Sequence, residues 1–166
     1  MSRIKRLLNS YSKFIAVPWR DDAAAAQRVI FCVYNEDEEL RLRAGIDEFE
    51  IATRKAGHDW AVFDLTDSFA IWLSGQKYAE KYYQTPHLIS PLLSKYLPYI
   101  VGEFKDFLAE RSVGKDFVVA MEGVGSLLGF IKVKEVVDEL APLVSGRLLV
   151  FFPGRYSLVQ KFCNYY

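Results

Sequence analysis

Four short apolar runs, separated by longer segments, constrain the fold of this sequence most. The runs are VIFCVY within residues 27–35, WAVF within 58–67, FVVAM within 116–122 and LLVFF within 146–154. Each run is too apolar to have a solvent-exposed face, which is typical of strands buried in a parallel sheet. Helical patterns lie between the runs. We therefore predict an α/β protein with a mainly parallel sheet of at least four strands and helices on both faces, a three-layer sandwich of the Rossmann-like or P-loop-like kind.

The length of the chain predicts a single domain that covers residues 1–166. A chain of 166 residues buries a sizeable core but is too short for two domains of ordinary size. Residues 1–17 predict an amphipathic helix with a basic outer face, and residues 76–111 predict a tyrosine-rich helical excursion over the surface. We favour an N-terminal helix packed on the core, although a transit peptide and a helix lying on a membrane share this pattern.

Residues 35–57 predict one long helix. Asn35 is placed to cap its N-terminus, acidic residues follow in the first turn, and Gly57 marks its end. Two apolar stripes lie on nearly opposite sides of this helix: Leu42, Ile46 and Phe49 form one, and Leu40, Ala44 and Ile51 form the other. We therefore expect the helix to be covered on two sides.

A glycine-rich turn follows the third apolar run. In EGVGSLLGF, Gly123 and Gly125 let backbone approach a ligand, and Ser126 lies near the start of a helix predicted for residues 131–143. These three residues are therefore candidates for a loop that binds an anion or a nucleotide. The spacing GxGxxxG is one residue longer than the dinucleotide fingerprint, and the turn follows the third strand instead of the first. The alternative is that the glycines permit a tight turn and close packing of helix on strand.

The sequence contains no set of residues that fixes a chemical reaction. It has no GK[ST] triplet, so the lysine and hydroxyl that a P-loop uses on phosphate and magnesium are missing. Neither histidine is placed to activate a nucleophile such as Ser126. Asp64, Glu122 and Asp37 follow predicted strands, where carboxylates either converge on a magnesium ion or cap helices, and we favour capping. We therefore predict no catalytic residues, no resident metal and no cofactor.

Charge and aromatic content indicate a protein partner. Lysine plus arginine and aspartate plus glutamate number 21 each, so no net charge attracts the whole chain to nucleic acid or to an acidic membrane. Tyr78, Tyr82 and Tyr83 lie close together in the excursion and are candidates for a partner-binding surface. Tyrosines interleaved with lysines also stack on single-stranded nucleic acid, so direct contact with nucleic acid stays open as an alternative.

Cysteine usage and hydropathy predict a cytoplasmic location. Cys32 lies in an apolar run and Cys163 near the end of the sequence, with no CxxC pair and no secretion signal. This usage is typical of a reducing compartment. No apolar run approaches the ~18 residues required to cross a bilayer, so we predict no membrane-spanning segment.

Five segments spread over nearly the whole chain resemble a known family. They are FIAVPW, QRVIFCVY, EFEIATRKAGHDWAVFDLTDSFAIWL, EGVGSLLGFIKVKEVVDEL and SGRLLVFFPG. In order and spacing they resemble the BrxB family of small proteins from bacterial BREX phage-defence systems. The resemblance is most specific in GVGSLLGF and GRLLVFFPG.

The resemblance implies a cytoplasmic role beside a DNA methyltransferase, a large ATPase and the alkaline-phosphatase-like protein PglZ, in a system that marks host DNA and blocks phage replication. It supplies no catalytic residues. We therefore expect a non-catalytic adaptor that acts with PglZ. The alternative is a nucleotide- or metal-phosphate-binding protein without Walker-type NTPase activity. Members of the family continue past FFPG into a further strand, whereas RYSLVQKFCNYY follows here, which indicates a truncated or divergent C-terminus.

Overall fold

The computed structural model describes residues 2–154, which fold around one four-stranded sheet. The strands are β1 (Val29–Tyr34), β2 (Asp59–Asp64), β3 (Phe117–Glu122) and β4 (Arg147–Pro153). All neighbouring strands are parallel, and their order across the sheet is β1-β4-β3-β2. Each strand coincides with one of the four apolar runs. The predicted α/β class, with a parallel sheet between two helical layers, is confirmed.

Helices cover both faces of this sheet. They are α1 (Arg3–Ile15), α2 (Glu39–Lys55), α3 (Ser68–Ser74), α4 (Ala79–Gln84), α5 (Tyr96–Glu110) and α6 (Val133–Leu140). Short 3₁₀ segments lie at Ala25–Arg28, Glu36–Glu38, Pro86–Lys95, Val124–Leu127 and Ala141–Leu143. Helices α1 and α2 pack on one face, and α3, α5 and α6 pack on the other.

The central strand β3 shows why the strands are apolar throughout. Val118 and Ala120 contact the core under α1 and α2, whereas Val119 and Met121 contact the core under α3, α5 and α6. Successive side chains of a strand point to opposite faces. All four of these residues are fully buried. A strand between two helical layers therefore needs an apolar side chain at every position, and this requirement produces the unbroken runs in the sequence.

The order in which the chain adds strands across the sheet reverses once, at β2. The connection from β1 to β2 passes over the α1–α2 face and crosses β4 and β3, and the later connections return to β3 and β4 over the opposite face. Crossovers between parallel strands are right-handed, so a chain that reverses direction must also change face. This reversal divides the helices between the two layers.

Two expectations for the helix after β1 are wrong. The chain first makes the turn Glu36–Glu38, and the Asn35 side chain accepts a hydrogen bond from Arg3 at 3.0 Å instead of capping the helix. The second apolar stripe is also uncovered, because Leu40 is 81% and Ile51 65% exposed. Helix α2 therefore packs through one face only.

Helix α1 packs on α2 and the sheet through Ile4, Tyr11 and Ile15, which are buried. The Tyr11 hydroxyl lies 2.6 Å from the Thr53 hydroxyl of α2, and Thr53 in turn donates to the carbonyl of Phe49. This buried chain of hydrogen bonds satisfies the two hydroxyls inside the core. The structure therefore places the basic amphipathic N-terminus against the fold.

The excursion of residues 76–111 is only partly a surface feature. Tyr96, Ile100 and Phe104 of α5 are fully buried in the core, whereas α4 has no buried residue. Within residues 2–154, no helix is long and apolar enough to cross a membrane. Cys163 and the expected divergence after Gly154 lie outside the described residues.

Candidate functional site

The carboxyl ends of the strands meet at one edge of the sheet, where open parallel sheets usually bind ligands. The loops at this edge are tied to one another through their backbones. The amide of Leu65, after β2, donates to the carbonyl of Glu122, and the amide of Gly154, after β4, donates to the carbonyl of Tyr34, each at 2.8 Å. These bonds join the loops in pairs, the loop after β2 to the end of β3 and the end of β4 to the end of β1.

The glycine loop after β3 makes its closest approach to the neighbouring loop. Gly123 has φ +75°, a left-handed conformation that favours glycine, and a Cβ atom there would lie 2.4 Å from the Thr66 amide nitrogen. A Cβ at Gly125 would lie 3.2 Å from Cγ of Pro153. At Gly123 the absent side chain thus makes room for Thr66.

Ser126 uses its hydroxyl on the protein itself. Its Oγ lies 2.7 Å from the Leu65 carbonyl and 2.8 Å from the Gly123 carbonyl. The residue belongs to the turn Val124–Leu127, and α6 begins only at Val133, so Ser126 does not lie at the start of the next helix. Binding of an anion or nucleotide by Gly123, Gly125 and Ser126 stays a prediction, and the geometry supplies a separate packing reason for Gly123.

An arginine from α2 organises the polar side chains of this edge. The Arg43 Nε donates to Glu39 at 2.9 Å, its Nη2 donates to the Thr66 hydroxyl at 2.9 Å, and its Nη1 lies 3.5 Å from Glu122 Oε1. Glu39 also accepts a hydrogen bond from the Tyr34 hydroxyl. Three elements of the fold, α2, β3 and the loop after β2, therefore converge on one guanidinium.

The carboxylates considered for magnesium are arranged around this arginine. Asp64 and Glu122 are register partners at the ends of β2 and β3, but Asp37 follows β1 at the opposite end of the strand order. Asp64 accepts hydrogen bonds from the amide and hydroxyl of Thr66, at 2.9 and 2.6 Å. Within the described residues no group of three or more His, Cys, Asp or Glu side chains is arranged to hold a metal ion. Arg43 supplies positive charge beside Glu122 instead.

Burial and charge shift the proton affinities of this cluster. Burial, and then the neighbouring charge of Asp64, raise the pKa of Glu122 above its ordinary value, against the opposing effect of Arg43. Burial by itself lowers the pKa of Arg43, but the hydrogen bond to Glu39 and the charges of Glu39 and Glu122 raise it. The Arg43 guanidinium therefore remains charged, whereas ionised Glu122 carries a penalty.

The three tyrosines predicted to bind a partner do not share one environment. Tyr78 and Tyr83 are each 57% exposed, whereas Tyr82 is half-buried and packs on the core. Lys77 lies over the Tyr78 ring, with Nζ 5.4 Å from the ring centroid. Ile71 of α3, which contacts α4, is also exposed. The exposed side chains of Tyr78, Tyr83 and Ile71 are called the tyrosine surface below.

Arg43 is the residue of the carboxyl edge that the sequence analysis did not predict. The pair Glu39 and Arg43 at i,i+4 is visible in the sequence, but such pairs are common on exposed helix faces. Only the path of α2 across the sheet brings Arg43 to the end of β3.

Comparisons with protein-family models, with curated proteins and with solved structures found no match.

Proposed function

We propose that this protein is a non-catalytic adaptor of a BREX phage-defence complex and that it binds PglZ through the tyrosine surface. The process is supported by the five segments that resemble the BrxB family. The adaptor role rests chiefly on one observation: the polar side chains at the carboxyl edge hydrogen-bond to one another around Arg43. Groups committed in this way hold loops in place and leave little capacity for a substrate.

The tyrosine surface has the chemistry of a protein interface. Tyrosine buries a large area and keeps a polar tip, so it is enriched among the residues that dominate binding energy. Tyr78 and Tyr83 are exposed, and Ile71 adds an aliphatic side chain on the neighbouring helix. The acidic Glu80 and the basic Lys77 and Lys81 flank these residues in sequence. Exposed aromatic and aliphatic side chains with charged residues nearby in sequence match the usual composition of a protein interface.

Substitution of the exposed tyrosines tests this proposal. We expect the double variant Tyr78→Ala, Tyr83→Ala to bind purified PglZ at least ~30-fold more weakly, because loss of one interface anchor typically removes ~2 kcal/mol. Its unfolding free energy should stay within ~0.5 kcal/mol of the parent, because both side chains are on the surface. Surface plasmon resonance and urea denaturation measure the two quantities.

The control is Phe14→Ala. Phe14 is 58% exposed, close to the value for the tyrosines, but it lies on α1 at the opposite face of the sheet. Tyr82→Ala is unsuitable as an interface variant, because Tyr82 packs on the core and its loss would lower stability as well. Equal affinity of the parent and the double variant, with a fully folded protein, would refute the tyrosine surface as the binding site.

Nucleotide binding by the glycine loop is the second candidate function. The space at Gly123 is filled by Thr66, and the Ser126 hydroxyl contacts two carbonyls. We expect calorimetry with ATP, GTP and NAD, each with magnesium, to show no saturable binding tighter than ~100 μM. Binding at that level that disappears in Gly125→Trp would reverse the order of the two functions, since Gly125 is exposed and a tryptophan there would block the loop.

A further inference from the structure

The amino ends of the four strands form a second polar site, at the edge opposite the glycine loop. A cleft of about 720 Å³ opens there. Every strand contributes to it from its amino end: Arg28 precedes β1, His58 precedes β2, Lys115 and Asp116 precede β3, and Arg147 begins β4. The remaining wall comes from Trp19 and its neighbours and from the loop before β4.

Arg147 is a buried cation whose guanidinium is held by backbone carbonyls. Only 8% of the residue is exposed. Its Nη1 donates to the Gly146 carbonyl at 3.1 Å, and its Nη2 donates to the Arg20 carbonyl at 3.4 Å. Within residues 2–154, no carboxylate oxygen lies within 4.0 Å of this guanidinium. A buried charge is normally paired, because desolvation without a counter-charge is costly.

Trp19 fixes the direction of this guanidinium. The His58 ring is stacked on Trp19 with 3.6 Å between centroids and 6° between planes. Cζ of Arg147 lies over the Trp19 ring, 4.7 Å from its centroid. A ring stacked at 3.6 Å leaves no room on its own side, so Arg147 lies on the other face of Trp19. The cation–π contact orients Arg147 but does not neutralise its charge.

Arg28 is a second guanidinium in the same cleft, and no carboxylate oxygen of residues 2–154 lies within 4.0 Å of it. Arg28 donates through Nε to the Val144 carbonyl at 3.1 Å and through Nη1 to the Ala23 carbonyl at 2.9 Å. Carbonyl oxygens hold it in place without cancelling its charge. Burial, and then repulsion from Arg28, lower the pKa of Arg147, against the opposing charge of Asp21. The two arginines are therefore close enough to repel each other, and the fold nevertheless keeps them together.

Acidic side chains offset only part of this positive charge, because two acids, Asp21 and Asp116, line the cleft with four cations. Lys115 adds a third cation, and Arg20 is paired with the exposed Asp22. Asp21 and Asp116 also line the cleft, but neither lies within 4.0 Å of Arg28 or Arg147. Nδ1 of His58 is buried and has no hydrogen-bond partner among the described residues. The described residues therefore leave hydrogen-bond donors and positive charge in this cleft available to a ligand.

We propose that this amino-edge cleft binds the phosphate group of a small molecule, held by Arg147 and Arg28 with Lys115 at the mouth. Guanidinium groups bind phosphate through paired N–H donors in a fixed geometry, and phosphate accepts several such bonds at once. The volume lies in the range of small-molecule sites and exceeds that of phosphate alone. Both faces of Trp19 are occupied, so that ring does not stack on a nucleobase, and the phosphate itself is the recognised group.

The test is a titration of the intact chain with inorganic phosphate at constant ionic strength, followed through the indole N–H signal of Trp19 by NMR. We expect a saturable shift of this signal. Arg147→Met keeps an unbranched side chain on Trp19 and removes the charge, and Arg28→Met does the same for the second arginine. Each should weaken phosphate binding at least tenfold. Arg54→Met is the control, because Arg54 is exposed and paired with Glu50 on α2.

Ribose 5-phosphate and ribose, compared in the same titration, separate a phosphate site from a sugar site. The proposal requires binding of the first and not the second. It is overturned if wild type shows no saturable shift up to ~10 mM phosphate, a limit corresponding to a dissociation constant weaker than millimolar. It is also overturned if Arg54→Met loses as much affinity as Arg28→Met.

Thermal unfolding distinguishes a ligand-binding arginine from a structural one. Phosphate should raise the melting temperature of wild type and raise that of Arg147→Met much less, because a site of at least tenfold weaker affinity gains less stability at the same phosphate concentration. Equal effects of phosphate on both proteins would mean that Arg147 serves only the packing of Trp19. If Arg147→Met does not fold, the same comparison with Arg28→Met decides, since Arg28 is only half-buried.

Discussion

At the scale of single residues, Arg43 determines the character of the carboxyl edge. The edge brings Glu39, Asp64 and Glu122 near one another, and like charges at this distance repel. Arg43 lies among them with two hydrogen bonds and one longer ion pair. One side chain on a helix thus supplies the counter-charge that lets these carboxylates lie close together.

Replacement of Arg43 should therefore destabilise the fold more than replacement of an ordinary surface arginine. We expect Arg43→Met to lower the unfolding free energy by about 1–2 kcal/mol, because it leaves half-buried carboxylates without a counter-charge. Arg41→Met is the matched control on the same helix, where the side chain is 72% exposed and its ion pair to Glu38 spans 3.8 Å. That change should cost less than ~0.5 kcal/mol. Equal losses in urea denaturation would argue against the cluster.

Glu122 gives the folded protein a defined pH dependence. Its pKa in the folded state is raised, so the native protein binds the proton more tightly than the unfolded chain does. The resulting stability is fully present below the ordinary pKa of 4.5 and is lost as pH rises through the folded-state pKa. Glu122→Gln has no titratable group at this position and therefore lacks this pH dependence. The unfolding free energy of wild type minus that of Glu122→Gln should therefore fall as pH rises above 4.5, and a difference that rises with pH would contradict the shift.

At the scale of elements, the glycine turn after β3 shows that one pattern serves two structures. The order of strand, glycine-rich turn and helix is typical of phosphate-binding loops, and the sequence does contain that order. In the folded chain a 3₁₀ turn, Val124–Leu127, follows the glycine, and α6 begins at Val133. Gly123 brings the β3 loop against Thr66, so the turn joins the loops after β2 and β3.

Substitution of two glycines in this segment separates backbone strain from close approach. Gly123 and Gly129 both have positive φ, but only Gly123 has atoms within 4 Å of an added Cβ. Gly129→Ala should cost about 1 kcal/mol, the penalty of the left-handed conformation for alanine. Gly123→Ala should cost at least ~2 kcal/mol, because the new methyl group also overlaps Thr66. Similar losses at both positions, measured by urea denaturation, would show that the loop moves aside readily.

Secondary-structure elements could be predicted where a local sequence pattern determines them. Features that depend on contacts between residues distant in sequence could not. The apolar runs located all four strands, because burial on both faces requires unbroken apolar sequence. The prediction that Asn35 caps the helix was wrong because its side chain accepts a hydrogen bond from Arg3, which is distant in sequence. The second stripe of α2 failed because two apolar side chains at helical spacing do not require a covering element: Leu40 and Ile51 are exposed. Arg43 was missed because two of its partners, Thr66 and Glu122, belong to other elements.

At the scale of the whole molecule, the sheet separates two cores and carries different surfaces at its two edges. The glycine loop and the Arg43 cluster lie at the carboxyl edge, and the arginine cleft lies at the amino edge. The glycine turn and the carboxylates that the sequence offers as candidates follow strands and so lie at the carboxyl edge, where open parallel sheets usually bind ligands. The cleft needs four strand starts to meet, and their meeting depends on the order β1-β4-β3-β2, which no local pattern contains.

The two cores should unfold as one unit, because β3 and β4 supply side chains to both. Ile15 of α1 and Ile100 of α5 are both fully buried, one in each core. Ile15→Val and Ile100→Val should each lower the unfolding free energy by about 1 kcal/mol, the usual cost of one buried methyl group. The double variant should lose the sum within ~0.5 kcal/mol, in a single transition, because the sites do not touch. A neutral Ile15→Val would instead show that α1 does not pack on the fold in solution, and the transit-peptide and membrane-surface interpretations of this helix would then take precedence.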